Sequence, residues 1–136
     1  MPTTTMQATG TYGPTSWDEG PYAELEGAPK LTHARITNTY RGDLEAEGTS
    51  EVLMFYPGES SATYVGYERV TGTLGGRSGS FVLQGVGTWE GGVAKTTWTV
   101  VPGSGTGELT GLRGGGGNEA TSGQAEITYR LEYGFE

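Results

Sequence analysis

This sequence predicts an all-β fold: a single closed antiparallel barrel of about eight strands, one domain over residues 1–136, with little or no helix. Three observations lead there. Apolar and polar residues alternate with period two along most of the chain, as in strands that bury one face. The breaks between these runs carry turn residues: Arg41-Gly42-Asp43, Tyr56-Pro57-Gly58-Glu59, Gly75-Gly76-Arg77-Ser78-Gly79, Glu90-Gly91-Gly92 and Pro102-Gly103. Glycine is over-used, with 26 residues, 16 of them between Gly72 and Gly117, against a usual share of about 7%. Interspersed with β-branched and aromatic residues, these glycines mark turns, bulges and bends that let a sheet curl. Closure removes the free edges of eight strands joined by hairpins. A two-sheet sandwich is the alternative architecture.

The first strand is expected over Thr3–Tyr12. Ser16–Pro29 follows as a long loop carrying Trp17, Pro21, Gly27, Pro29 and four acids, with room for one helical turn at Tyr22–Glu26; loops of this length often cap a barrel mouth. In Leu31–Tyr40 the apolar set Ala34, Ile36 and Tyr40 takes Asn38 inside with it and leaves His33, Arg35 and Thr37 outside. Along Leu44–Tyr56, Leu44, Ala46, Gly48, Ser50, Val52, Met54 and Tyr56 share one face and Glu45, Glu47, Thr49 and Glu51 the other. Thr63–Leu74 has two possible phases. The better apolar face joins Tyr64, Gly66, Val70, Gly72 and Leu74 and places Glu68 inside; the reverse phase places Arg69 inside.

Ser80–Trp89 turns Phe81, Leu83, Gly85, Gly87 and Trp89 inward, and Val93–Val101 turns Ala94, Trp98 and Val100 inward. A short strand is expected near Gly105–Thr110. Arg113–Ser122, with four consecutive glycines, reads as a mobile loop. Gln124–Phe135 is the clearest strand, with Ala125, Ile127, Tyr129, Leu131, Tyr133 and Phe135 on one face and Gln124, Glu126, Thr128, Arg130 and Glu132 on the other.

Composition narrows function. A formal net charge of −8 with only two lysines argues against nucleic acid and against anionic membrane surfaces. With no cysteine, disulfides, thiolate nucleophiles and Cys-ligated zinc are excluded. His33 is the one histidine, so a two-His metal site is excluded too, and on its strand it faces outward. No metal and no cofactor is expected: the glycine runs lack the dinucleotide spacing, and none is followed by Lys-Ser or Lys-Thr. The N-terminus lacks a basic and apolar leader and no ~20-residue apolar span occurs, so a cytoplasmic location is expected.

The lumen is where chemistry is expected. A carboxylate inside an apolar barrel has its pKa raised, which suits an acid–base group. Glu68 is therefore the candidate catalytic residue, with Asn38, Tyr64, Trp89, Trp98 and Tyr129 as candidate ligand-binding residues, and Trp17 and Tyr133 join the aromatics suited to line a pocket. The competing reading makes Glu68 a structural partner of a nearby Arg or Tyr, or leaves it solvated outside, and lets the aromatics fill the barrel. Gly48, Gly66, Gly72, Gly85 and Gly87 fall on the lumen face, where they leave space for a ligand or serve as kinks that close the barrel. Outward Val65, Tyr67, Val82 and Val86 form an apolar strip that points to a homo-oligomer, a dimer in the first instance.

The run Gly66–Gln84 resembles the bacterial family known as domain of unknown function 3224. So do Thr97–Leu109, Gly111–Gly114, the early Ser16-Trp17-Asp18 and the Gly42-Asp43-Leu44 turn. The resemblance spans nearly the whole chain. It implies an eight-stranded barrel similar to allene oxide cyclase and to dirigent proteins, whose members bind apolar small molecules and in several cases steer cyclisations. It carries over no catalytic residue. Three functions follow as expectations: an isomerase or cyclase acting on an apolar or aromatic small molecule in the lumen, a non-catalytic binding or protective protein, and a solid-core structural barrel.

Overall fold

The computed structural model describes residues 5–121, 123–124 and 126–136. Eight strands follow one another: β1 (Met6–Pro21), β2 (Lys30–Gly42), β3 (Leu44–Gly58), β4 (Ser61–Leu74), β5 (Arg77–Glu90), β6 (Val93–Val100), β7 (Leu112–Thr121) and β8 (Ile127–Phe135). Each pairs antiparallel with its neighbours in sequence, and β1 pairs with β8, so the sheet is a closed barrel. The strand count matches the sequence expectation, but one strand is elsewhere. Gly105–Thr110 is not a strand; it belongs to the β6–β7 connection and contains a 3-10 turn at Gly107–Leu109. The glycine run read as a mobile loop is β7.

The reason lies in the neighbouring backbones. A Cβ on Gly114 would lie 2.3 Å from the Glu132 carbonyl oxygen, and one on Gly117 would lie 2.2 Å from that of Thr96. β7 is pressed between β6 and β8 so closely that side chains do not fit there. A strand built of glycine has no alternation to read.

The Ser16–Pro29 loop is also corrected. β1 runs on to Pro21, and only residues 22–29 form the connection to β2. The helical turn expected at Tyr22–Glu26 does not form: the Ala28 amide donates to the Leu25 carbonyl (3.1 Å) across a tight turn with Gly27 at φ 83°. β1 carries a bulge between Pro14 and Ser16, where proline supplies no ladder N–H and the hydroxyls of Thr15 and Ser16 both bond to that of Thr37. The bulge shifts the register by one residue. Tyr12 and Pro14 pair with Tyr40 and Asn38, whereas Trp17 and Glu19 pair with Ile36 and Ala34, so all four lie on the inner face.

Inward and outward faces otherwise alternate as the sequence indicates. Ala34, Ile36, Asn38 and Tyr40 of β2 are buried, as are Glu68, Val70 and Leu74 of β4, Phe81 and Leu83 of β5, Trp98 and Val100 of β6, and Tyr129, Leu131 and Tyr133 of β8. The two-phase ambiguity of β4 resolves with Glu68 inside and Arg69 exposed. Ala125, expected on the inner face of the last strand, lies outside the described residues, and that strand begins at Ile127.

One end of the barrel is sealed. Leu44, Leu74 and Leu112, from the ends of β3, β4 and β7, meet Leu109 from the 3-10 turn, and all four are fully buried. The β6–β7 connection that delivers Leu109 runs along the first half of β5. Thr106 N–H donates to the Ser80 carbonyl (2.8 Å) and Val101 N–H to that of Val82 (2.9 Å). Val82 is therefore half-buried and does not join the exposed outer strip. Among the described residues no helix is long and apolar enough to cross a membrane.

Candidate functional site

An aromatic layer lies on the sealed core. Tyr12 and Tyr40 stack with ring centroids 5.0 Å apart, Trp98 tilts against Tyr12 at 5.5 Å, and Tyr129 meets Tyr40 edge-on at 5.9 Å. Beyond this layer the lumen is open. A cavity of about 380 Å³ extends past Ile36, Val52 and Met54 to Tyr56, Trp89 and Ile127, near the barrel end that carries the 22–29 connection. Trp17 lines it too and is 54% exposed, which marks the opening. Beside Trp17, Glu19 accepts hydrogen bonds from the Trp17 indole, Thr32 and the Tyr56 hydroxyl. Partial burial works to raise its pKa, but these three bonds outweigh it and hold the carboxyl below its ordinary value.

Glu68 stands at the inner end of the cavity. It is 8% exposed, and its two oxygens accept from Asn38 Nδ2 (3.0 Å) and the Tyr40 hydroxyl (2.7 Å). Burial raises its pKa, and the two hydrogen bonds recover only part of that cost. Tyr40 is pushed well above an ordinary tyrosine, first by burial and then by the adjacent Glu68 charge. Tyr12 is raised for the same reasons. Gly48 creates the niche for the carboxylate: a Cβ there would lie 2.0 Å from Glu68 Oε2 and 3.1 Å from Tyr40 Cε1.

The candidate residues Glu68, Asn38, Tyr64, Trp89 and Trp98 all line this one cavity. Tyr129 does not. Its hydroxyl accepts from the Leu44 N–H (2.9 Å) and donates toward the Arg41 carbonyl (3.2 Å), which fixes the β2–β3 turn to β8 at the sealed end. Tyr64 is fixed to the wall by its hydroxyl, 2.6 Å from Thr96 Oγ1. His33 faces outward and bonds to Glu51 at 2.6 Å beside Arg35. Among the described residues no three His, Cys, Asp or Glu side chains gather as a metal site.

The family described as "Protein of unknown function (DUF3224)" matches residues 8–133, nearly the full barrel. The chain belongs to this family. A crystal structure of a DUF3224 family protein of unknown function from Shewanella oneidensis MR-1 is similar to it, at 34% sequence identity, with 98% of this chain and 99% of that chain covered and a TM-score of 0.79. No curated protein matches the chain.

Several lumen residues of this DUF3224 chain escaped the sequence reading. Tyr12 belonged to an expected strand, and its pairing with Tyr40 becomes visible only in the β1–β2 register. Trp17, a pocket candidate from the sequence that does line the cavity, lay in a segment read as loop because the bulge breaks the alternation. Asn118 and Ala120 alternate inward at the end of β7, behind the glycines that hid the strand. The five lumen-face glycines divide. A Cβ on Gly66 or Gly72 would strike the β3 backbone, Gly48 is overlain by Glu68, and Gly87 is overlain by the Tyr64 ring. Only at Gly85 would a Cβ meet its neighbours at ordinary distance, 3.6 Å from Trp98 Cδ1, facing the cavity.

Proposed function

We propose that this barrel binds a small, largely apolar molecule in its lumen and that Glu68 transfers a proton on it, as an isomerase or cyclase would. The observation that carries the reading is the cavity of about 380 Å³ itself, within the range of small-molecule sites, with aromatic walls and a buried carboxylate at its inner end. It argues against the solid-core alternative. A raised carboxyl takes a proton from one carbon and returns it to another without cofactor, while the walls hold a flexible substrate folded and exclude water. The kinship with allene oxide cyclase and dirigent barrels that the sequence resembles is part of this proposal, as is a cytoplasmic setting for an acidic, cysteine-free chain. A non-catalytic binding role is favoured by a different observation: both Glu68 oxygens are already engaged by Asn38 and Tyr40.

Binding is tested with N-phenyl-1-naphthylamine, a neutral apolar fluorophore. Enhanced fluorescence with the wild type, lost in Gly85→Val, supports lumen binding; no enhancement, or the same enhancement in both, refutes it. Deuterium uptake from solvent into the methyl group of 2-acetylnaphthalene tests the proton role. Exchange that Glu68→Gln abolishes supports it, and equal or absent exchange leaves the binding role alone standing.

Self-association belongs to the same proposal. Leu53, Val65 and Val86 form one register row across β3, β4 and β5, exposed by 38, 45 and 53%. With Tyr67 beside them, they give an apolar outer strip, bordered by the His33–Glu51–Arg35 cluster, on a chain of net charge −8. Two copies repel least through such a face.

A further inference from the structure

The ligand's chemistry is constrained by one unsatisfied group. Asn118 Nδ2 is buried, lines the cavity, and makes no hydrogen bond within 3.5 Å among the described residues. An orphaned buried donor carries a desolvation cost that a ligand acceptor would relieve. Its surroundings narrow the acceptor further. The Asn118 amide acts on the Tyr12 hydroxyl as a hydrogen-bond donor that works to lower the phenol's pKa, and Tyr12 in turn lies near Glu68; of the two amide N–H bonds that oxygen draws on one, and the second is left for a ligand on the polar side of an otherwise apolar chamber. No Lys, Arg or His among the described residues lines the cavity. A carboxylate or phosphate would thus be buried beside Glu68 without a counter-charge, at high cost. Each Glu68 oxygen accepts one bond, from Asn38 and from Tyr40, and keeps a further lone pair, so a ligand hydroxyl would find its acceptor there, whereas the free Asn118 N–H calls for a ligand acceptor.

Resting on the lumen-binding reading, we infer that Asn118 is a specificity residue that selects a neutral, largely apolar ligand bearing a carbonyl oxygen, which accepts the Asn118 N–H. Trp98 supplies an aromatic wall beside it: the pyrrole edge of its indole faces the space left by Gly85, with Nε1 3.9 Å from where a Cβ would stand. A planar conjugated carbonyl compound matches this pairing of an aromatic wall and one amide donor.

The test uses two isosteric probes, 2-acetylnaphthalene and 2-isopropenylnaphthalene, which differ in C=O against C=CH2, competing with N-phenyl-1-naphthylamine on the full chain. The ketone is expected to displace the fluorophore at about tenfold lower concentration than the alkene. In Asn118→Leu, which removes the orphan donor and keeps the volume, that preference disappears while the alkene binds as well or better. Should the variant fail to fold, the carbonyl stretch of the ketone bound to wild type decides: a shift to lower frequency than in hexane is required. Equal displacement by both probes, a preference that survives Asn118→Leu, or an unshifted stretch overturns the inference and leaves lumen binding intact. If the fluorophore binds but neither probe displaces it, this inference falls and lumen binding still stands on the Gly85→Val comparison; if the fluorophore itself does not bind, lumen binding falls and this inference with it.

Discussion

Gly48→Ala and Gly85→Ala make the same chemical change on the same inner face, and the structure predicts opposite signs. At position 48 the new methyl would sit 2.0 Å from Glu68 Oε2 and 2.9 Å from its Cδ, so the carboxylate must swing away. It then gives up its bonds to Asn38 and Tyr40. Hydrogen bonds to a charged group are worth about 1.5–3 kcal/mol each. Gly-to-Ala in a strand returns about 0.5–1 kcal/mol of chain entropy. The net expectation is a loss of about 2–5 kcal/mol. At position 85 the methyl meets Trp98 and Thr96 at 3.6 and 3.7 Å, ordinary contact, and the entropic gain stands alone at about 0.5–1 kcal/mol. Urea unfolding of both variants measures the two numbers. A cycle with Glu68→Ala isolates the clash: once the carboxylate is gone, Gly48→Ala should recover most of its cost, a coupling above ~1 kcal/mol. If Gly48→Ala stays within ~0.5 kcal/mol of wild type, or the cycle shows no coupling, the niche argument is wrong.

Three further outcomes are expected. Because burial raises the Glu68 pKa above its unfolded value of about 4.3, the folded state binds this proton more readily than the unfolded chain; Glu68 thus opposes folding fully above the raised pKa, and stability returns as pH falls toward about 4.3. Wild type should therefore gain more on mild acidification than Glu68→Gln, whose amide can accept from Asn38 and donate to Tyr40, and parallel pH profiles in urea melts would reject the assignment. Tyr129→Phe orphans the buried Leu44 N–H and should cost about 1–3 kcal/mol while leaving N-phenyl-1-naphthylamine binding unchanged; weakened probe binding in a folded variant would place Tyr129 in the site after all. Sedimentation velocity should show a dimer that Val65→Asp dissociates, whereas a wild-type monomer at high concentration removes the proposed interface.

What the sequence made legible is what side-chain alternation encodes. β2, β3, β5, β6 and β8 each have enough paired apolar and polar positions to fix both existence and inward face, and Asn38 came to the lumen on that argument; in β4 alternation fixed the strand but left two phases, of which the better apolar face placed Glu68 inside. The failures share one physical cause. Where the barrel wall is tightest the chain omits side chains, as at Gly114–Gly117, and where it bulges the parity changes, as between Pro14 and Ser16. Both erase the period that identifies a strand. Asn118 was lost with the segment that carries it, and Trp17, although a pocket candidate by residue type, was placed on a loop instead of a strand. The long connection after β6 was misread for the converse reason: the glycine alternation of Gly103, Gly105 and Gly107 imitates a strand while serving a turn that inserts Leu109 into the core.

The glycines also change meaning once their neighbours are known. Read as missing side chains, five on the lumen face imply five parcels of empty space. In the folded barrel four of them are occupied, two by the β3 backbone, one by the Glu68 carboxylate and one by the Tyr64 ring. Their role is to admit neighbours at close range, and the largest consequence is at Gly48. There a missing Cβ lets an acidic group lie flat against the wall within reach of Asn38 and Tyr40 while keeping access to the cavity. The cavity itself owes its volume to something else. Ala62, Ala94, Ala120 and Gly85 stand where larger residues would meet across the lumen, so small side chains on β4 to β7 shape the chamber and glycine places the charge beside it. Cavity volume and acid chemistry are thus written in different positions, and substitutions can alter one without the other. Gly85→Val should abolish probe binding with the Glu68 hydrogen bonds intact, and Gly48→Ala should displace Glu68 with the chamber still open.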